Sequence, residues 1–306
     1  MALPIICGVL DAYLLIITTV IVVLGSLNLI CPCFSQTLKD LITYERSPLK
    51  EKRNFVYRWF AVPKRRFTHF YIVAVVNSLI WLAFATFVDA ELVKPERRFI
   101  SWMRSLQQTP RLISPTSCYL ALVLMTLHSV RRLYESLFVC VFSESKMSII
   151  HYIAGITHYT LLPLSIVVET SGLASTSMFS VDFRSLSFMQ IVGVLLFLLL
   201  SYNQHLIIVQ FANLRRNYLG NVTNYGHGIL FEGLFSCISC PHFFYEILLY
   251  IALYLCISAT AHTFSWIVVF VIVNQVIAAL ITHRWYQERF GRLYPEQRKA
   301  IIPFIL

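Results

Sequence analysis

Charge is what this sequence has least of. Only 13% of its 306 residues are Asp, Glu, Lys or Arg, against about 25% in a typical soluble domain. Hydrophobic residues make up 58% and the mean hydropathy is +0.69. A water-soluble fold of this length would have to bury more apolar surface than its volume allows. That excludes an ordinary soluble enzyme, a disordered chain and a coiled coil. Phosphate-binding loops are missing too. Gly226 and Gly228 begin a GxGxxG pattern, but Phe231 holds the third position, and there is no GxxxxGK[ST]. Any nucleotide is therefore bound without those loops. No internal repeat or low-complexity tract appears, and the chain reads as a single membrane domain over 1–306.

What is present is a series of apolar runs, each long enough to cross a bilayer at about 20 residues. The first is Ile5 to Ile30, with Asp11 its only charge. It is too long for a signal-peptide core and no A-x-A-like cleavage site follows, so it is expected to be retained. The next runs are His69 to Val88, Ser117 to Phe142, Ser148 to Glu169 and Leu186 to Phe211. Phe243 to Thr282 contains one charge, Glu246, and is twice the length one span needs, so it predicts two helices. The expected fold is all-α, a polytopic seven-transmembrane helix bundle. The 89–116 segment carries a short amphipathic helix in this reading, lying on the membrane.

The net charge of +10 lies between the apolar spans, which suits orientation and anionic lipid headgroups better than nucleic acid. Residues 31–68 carry Lys39, Arg46, Lys50, Lys52, Arg53, Arg58, Lys64, Arg65 and Arg66, and five more basic residues follow His283. With seven spans, both segments fall on one side, so the C-terminus is expected to be cytosolic. Arg97, Arg98, Arg104 and Arg111 in the next loop run against this bias. The eight cysteines lie mostly in or beside apolar spans, where a reduced thiol behaves as a small hydrophobe, and they imply no disulfide framework.

Ionisable groups at membrane depth are costly and mark functional sites by default. His128, Arg132 and Glu135 fall at i, i+4 and i+7 on one helix face, with Arg131 beside them. They serve either as an internal ion pair or as a cavity lining that binds or protonates a substrate. Asn203, Gln204 and His205 sit late in the fifth span, before Arg215 and Arg216. They either mark the emergence of the helix from the membrane or bond a cofactor, with arginine beyond for phosphate. Cys237-Ile238-Ser239-Cys240-Pro241-His242 precedes Glu246; Pro241 suits a first helical turn, and His242 and Glu246 share a face. The metal-ligand set here is incomplete, so no metal is expected. The tail from His283 to Phe304 is basic, then apolar. It either meets headgroups or, pinned back onto the bundle, clamps a polyanion. Together the clusters describe a membrane cavity with basic walls, suited to an anionic cofactor from the cytosol and an apolar substrate from the lipid.

The tail Tyr294-Pro295-Glu296-Gln297-Arg298-Lys299-Ala300-Ile301-Ile302-Pro303-Phe304 and the stretch from Ser239 to Glu246 resemble the steroid 5-alpha-reductase family. That family includes trans-2-enoyl-CoA reductases and polyprenol reductases. The stretches Val62 to Tyr71 and His128 to Glu135 are similar to its polyprenol reductase branch. The resemblance is clearest over 201–306, which it implies to be an NADPH-binding portion. The cofactor residues it implies are Arg215, Glu246 and Tyr286, with Asn203, His205, His242 and His283; Arg298 adds countercharge for a phosphate. It further implies a multi-pass protein of the endoplasmic reticulum membrane. The reaction implied is reduction of the α-isoprene double bond of a long-chain polyprenyl lipid for dolichol synthesis, in support of N-glycosylation. No nucleic acid and no obligate protein partner is expected. The sequence departs from the family at Gly228-Ile229-Leu230, where an Arg-Ile-Pro is usual. It departs again at Ala61-Val62 and His128-Ser129, where steroid reductases carry Gln-Glu and His-Tyr, which argues against a steroid substrate.

Hydride transfer needs an electron-poor carbon, and an allylic alcohol has none. Conjugation to a carbonyl makes the β-carbon electrophilic, which favours polyprenal over polyprenol. Such a reaction needs a donor on the carbonyl oxygen and a proton source for the α-carbon. Tyr134, Tyr245 and His128 are candidate donors, with Glu135 in the same stripe. The alternatives are a reductase of steroid enones or trans-2-enoyl-CoA and, in another class, a membrane prenyl-cysteine methyltransferase.

Overall fold

The computed structural model describes residues 8–30, 61–106, 113–143 and 145–306. The start of the first expected span, Arg111, Cys7, Cys31, Cys33 and the basic residues from Lys39 to Arg58 lie outside the described residues.

Seven long helices form the frame among the described residues. They are α1 (Val9–Ile30), α2 (Phe67–Asp89), α4 (Pro115–Tyr134), α5 (Ile149–Val167), α6 (Phe188–Asn213), α7 (Pro241–Cys256) and α8 (His262–Phe290), and α3 (Arg97–Leu106) is short. The 89–116 segment does hold an amphipathic helix: α3 turns Ile100 and Met103 inward. Local signals set the helix starts. Ser114 caps α4 ahead of Pro115, and Ser148 caps α5. A reciprocal Ser187–Gln190 capping box starts α6, and Pro241 occupies the first turn of α7. Among the described residues, five helices (α1, α2, α5, α6 and α8) are long and apolar enough to cross a membrane, and α7 is a shorter apolar helix.

The helical frame carries one small addition. Ala61–Pro63 (β1) pairs antiparallel with Lys146–Ser148 (β2), Val62 opposite Met147. A residue before proline is driven to extended backbone, and Val62 and Met147 bury together with Phe70.

Side-chain contacts give the helix directions. On α2 and α4, Arg132 meets Tyr71 and Tyr119 meets Thr86, so the two are antiparallel. His69–Tyr152 and Asn77–Thr160 make α2 and α5 parallel. Ser117–Gln190 and Arg131–Gln204 make α4 and α6 parallel. Gln190 to the Cys256 carbonyl and Gln204 to Glu246 make α6 and α7 antiparallel. Asp11 lies beside His262, and Arg284 donates to the Leu29 carbonyl, so α1 and α8 run parallel. Thr263 donates to Glu169 just past α5, and Phe270 packs on His158, so α8 runs antiparallel to α5 and the seven helices alternate in direction along the chain. Gly193 lets α6 approach α7 closely: a Cβ there would lie 2.9 Å from the Cys256 Sγ. The main core packs Leu122, Ile166, Leu249, Phe264 and Ile267, all fully buried.

The two ends of the bundle differ in charge. Lys64, Arg65, Arg66, Lys146, Arg215, Arg216, Arg284, Arg289, Arg292, Arg298 and Lys299 gather at the end where α6 and α8 finish, against three acids among the described residues, Glu232, Glu288 and Glu296. The other end has Lys94, Arg97, Arg98, Arg104 and Arg184, mixed with Asp89, Glu91, Glu96 and Asp182.

Candidate functional site

A cavity of about 860 Å³ opens within the bundle, in the range of small-molecule and cofactor sites. Its basic end is lined by Lys64, Arg215, His227, Trp285 and Tyr286. Its deep end is lined by apolar groups, among them Ile17 and Ile21 of α1 and Phe270 of α8, while Phe70 of α2 lines the wall nearer the basic end. Gly155 of α5 also lines the wall; a Cβ there would stand 2.8 Å from the Phe70 ring.

Between the two ends runs a polar network built from four helices. A π-helical turn, Glu135–Val139, continues α4; such turns recur at functional sites. Glu135 at its start is fully buried. Its Oε1 accepts from Arg131 Nη1 at 2.6 Å and pairs with His205 Nδ1 at 2.8 Å, while Oε2 accepts from Arg132. Arg131 Nη2 donates to Gln204 Oε1 at 2.5 Å, and the Gln204 amide donates to Glu246 Oε2 at 2.5 Å. Arg132 Nη2 donates to the Tyr71 hydroxyl at 2.6 Å and stacks over that ring, 4.9 Å from its centroid. Two guanidinium charges thus face two carboxylates across adjoining helices, the arrangement that makes buried ions tolerable. Of this network Tyr71, Arg132, Gln204 and Glu246 line the cavity.

The residues singled out from sequence divide by position. Arg215, His242, Glu246 and Tyr286 line the cavity. The Arg215 guanidinium donates to the Val141 and Gly226 carbonyls; burial pulls it below its ordinary range, and Tyr286 nearby counters this. Glu135, His205 and His128 stand behind the wall. His128 Nδ1 lies 3.2 Å from Arg131 Nη2, and its ring rests on Phe197. The Asn203 amide donates to the Leu199 carbonyl of its own helix. Tyr134 is 54% exposed, its ring against Phe138. Tyr245 packs beside Phe244 and does not line the cavity.

His283 and Arg298 belong to a second polar cluster. The Ser239 hydroxyl lies 2.6 Å from His283 Nδ1 and 2.5 Å from the Tyr294 hydroxyl, and it donates to the Lys299 carbonyl at 3.1 Å. One donor and two lone pairs meet that demand in full. Main-chain bonds join the same two strands of chain: Ser239 and Cys240 donate to the carbonyls of Lys299 and Ala300, and Lys299 donates to that of Cys237. Arg298 is buried, stacks on Tyr294 and Phe231, and donates to the Leu230 carbonyl. Burial raises the Tyr294 phenol above its ordinary pKa, and its bond to Ser239 offsets part of that.

Sequence reasoning did not choose three cavity-lining residues, Tyr71, His158 and Tyr250. Tyr71 closes the Val62 to Tyr71 stretch that carries the branch resemblance. Tyr250 follows Glu246 by four residues, so extending the His242–Glu246 face by one turn finds it. His158 is an isolated histidine in an apolar helix, and nothing in the sequence marks its partner.

Comparison with known proteins agrees over nearly the whole chain. A polyprenal reductase of Caenorhabditis elegans is 38% identical over 302 residues, covering 97% of this chain and 96% of the relative. Polyprenal reductases of Xenopus tropicalis and Homo sapiens are 32% and 30% identical, covering 91% and 87% of this chain and 90% and 85% of their own. Residues 146–306, which hold α5 to α8 and the tail, match the description 3-oxo-5-alpha-steroid 4-dehydrogenase. The chain belongs to the 3-oxo-5-alpha-steroid 4-dehydrogenase family.

Proposed function

We propose that this protein reduces the α-isoprene double bond of polyprenal with NADPH, giving the saturated aldehyde from which dolichol is made. The observation that carries this reading is the match to polyprenal reductases over 87–97% of the chain. Supply of dolichol then supports protein N-glycosylation, and the site of action is the endoplasmic reticulum membrane. The bundle crosses that membrane seven times, its basic end cytosolic. Two facts support seven crossings. Both α4 and α7 run beside α6 from Gln190 to Gln204, so they share its depth. Positive charge also gathers at one end, as expected for the cytosolic face.

The basic end of the cavity suits a dinucleotide. Arg215 offers countercharge to phosphate, and Trp285 and Tyr286 add aromatic surface to the same end of the cavity. His242, Gln204 and Glu246 supply donors and acceptors one or two turns further in. NADPH bound there supplies a hydride to the substrate. The apolar end receives the isoprenoid. Arg132 donates to the Tyr71 oxygen, which leaves the Tyr71 proton free to bond the aldehyde oxygen. Charge that develops on that oxygen as the β-carbon accepts hydride is stabilised by this O–H and the guanidinium behind it. Glu135 and His205 keep Arg131 and Arg132 in place.

Purified full-length protein in lipid nanodiscs, given NADPH with polyprenal, polyprenol, a steroid enone or a trans-2-enoyl-CoA in separate reactions, tests the reading. Rapid NADPH oxidation with polyprenal alone is expected. Direct saturation of polyprenol, or preference for the enone or the thioester, contradicts it, and binding of S-adenosylmethionine in place of NADPH would move the protein to another class.

A further inference from the structure

The proposed reaction needs a proton for the α-carbon, and the residues so far described donate to the oxygen. Deep in the cavity, one turn beyond Glu246 on α7, Tyr250 lies with its hydroxyl 2.8 Å from His158 Nε2 of α5. Both side chains line the cavity, and Tyr250 is 7% exposed. The His158 ring packs against Tyr159 and Phe270, which fix its plane.

Partner accounting sets the direction of that hydrogen bond. His158 Nδ1 is buried and has no partner. An orphaned buried N–H is rarer and more costly than an under-used acceptor, so the ring proton belongs on Nε2. His158 then donates to the Tyr250 oxygen, and the phenol proton of Tyr250 is free to point into the cavity. Reversed, the histidine would hold that proton and Tyr250 could donate nothing to a substrate.

We propose that Tyr250 is the proton donor to the α-carbon of the substrate and that His158 is its positioning residue. The inference rests on the polyprenal reductase reading. In the step, the β-carbon takes the nicotinamide hydride and the C=C electron pair moves toward the carbonyl as an enolate. The Tyr250 O–H bond breaks and a C–H bond forms at the α-carbon. The His158 Nε2–H holds the resulting tyrosinate until a proton from water restores it. One hydride and one proton are consumed and one saturated aldehyde is formed. The placement agrees with the cavity's polarity: His242, Glu246 and Tyr250 descend one face of α7 at four-residue intervals, from the basic end toward the apolar end.

The test compares wild type, Tyr250→Phe and His158→Gln as full-length proteins in nanodiscs. Tyr250→Phe is expected to lower kcat for polyprenal by about 100-fold, the scale of general acid catalysis. NADPH affinity, read from cofactor fluorescence, should stay within about twofold, too small a change to reflect lost binding. His158→Gln should lower kcat by about tenfold, the worth of one hydrogen bond, with KM unchanged. In the ligand-free protein, nitrogen NMR of labelled histidine should show the resonance that His158→Gln removes as an Nε2–H tautomer. An active wild type with Tyr250→Phe equally active overturns this proposal alone, and an Nδ1–H tautomer overturns the role of His158. A wild type that binds NADPH but leaves polyprenal unchanged overturns the functional reading and this proposal together. Should Tyr250→Phe fail to bind NADPH, fluorotyrosine in place of Tyr250 substitutes for it: a shifted kcat at unchanged NADPH affinity supports the proposal, and an unchanged kcat overturns it.

Discussion

Two polar clusters are buried at the basic half of this bundle, and they are built for different ends. The Arg131–Arg132–Glu135–Gln204–Glu246 network joins α4, α6 and α7 and presents several of its members to the cavity. The Ser239–His283–Tyr294–Arg298 cluster joins the start of α7 to the C-terminal tail and shows only Ser239 to the cavity. The first is charged and keeps unused capacity at a place a ligand can reach. In the second, the Ser239, His283 and Tyr294 groups bond one another and a main-chain carbonyl, and the one cation, Arg298, bonds the Leu230 carbonyl and rests on two rings, its Nε unpartnered. A polar group buried in a membrane bundle therefore marks a working site only when it faces open volume; otherwise it is a fastening.

The contrast can be broken at either cluster. Glu135→Gln should have the largest effect. It removes the carboxylate between two adjacent guanidiniums, and breaking a buried ion pair costs about 3–5 kcal/mol. Thermal unfolding in detergent should show a large loss of stability together with loss of reduction. Glu246→Gln comes next. The network survives through the amide, but a charged acceptor at the cavity wall is lost, and NADPH should bind about 10–100-fold more weakly, the equivalent of a charge-assisted hydrogen bond. Ser239→Ala should cost about 1–3 kcal/mol of stability by leaving buried partners unmet. NADPH titration should find its affinity within about twofold of wild type, a difference of less than 1 kcal/mol. A collapse of NADPH affinity there would make the fastening part of the site. Tyr134→Phe should be the mildest, within about 0.5 kcal/mol as for other surface substitutions, with turnover unchanged; a large loss would return Tyr134 to the reaction.

Much of this was legible in the sequence, for reasons that differ by residue. The apolar runs gave the helices because hydropathy is a property of whole segments. Pro241 gave the start of α7 because its chemistry is local. The face shared by His128, Arg132 and Glu135 left an ion pair and a cavity lining both open; the fold pairs Arg131 and Arg132 with Glu135, adds Gln204 and His205 from another helix, and turns Arg132 alone of the three to the cavity. What could not be read was which side of a wall a group faces. Tyr134 and Tyr71 are both tyrosines in stretches similar to polyprenol reductases, yet one rests on Phe138 at the surface and the other lines the cavity. That difference is set by packing between α2, α4 and α5, which no single segment encodes. The tail motif left headgroup contact and a polyanion clamp both open, with Arg298 a candidate for phosphate, and the structure gives Arg298 and Tyr294 internal partners. Its sequence specificity therefore has a structural component, since a close main-chain pairing with residues 237–240 constrains both strands. The small β1–β2 ribbon was missed because three residues carry too little pattern to separate a strand from a loop.

The central claim is that the cavity beside Glu246 is where hydride meets substrate. A structure of the full-length protein with NADPH and an unreactive aldehyde analogue tests it most directly. The account predicts the phosphates at Arg215, the nicotinamide beside Glu246, and the analogue's α-carbon facing Tyr250. A dinucleotide bound outside this cavity, or a nicotinamide ring facing Tyr134 or Tyr245, would contradict it.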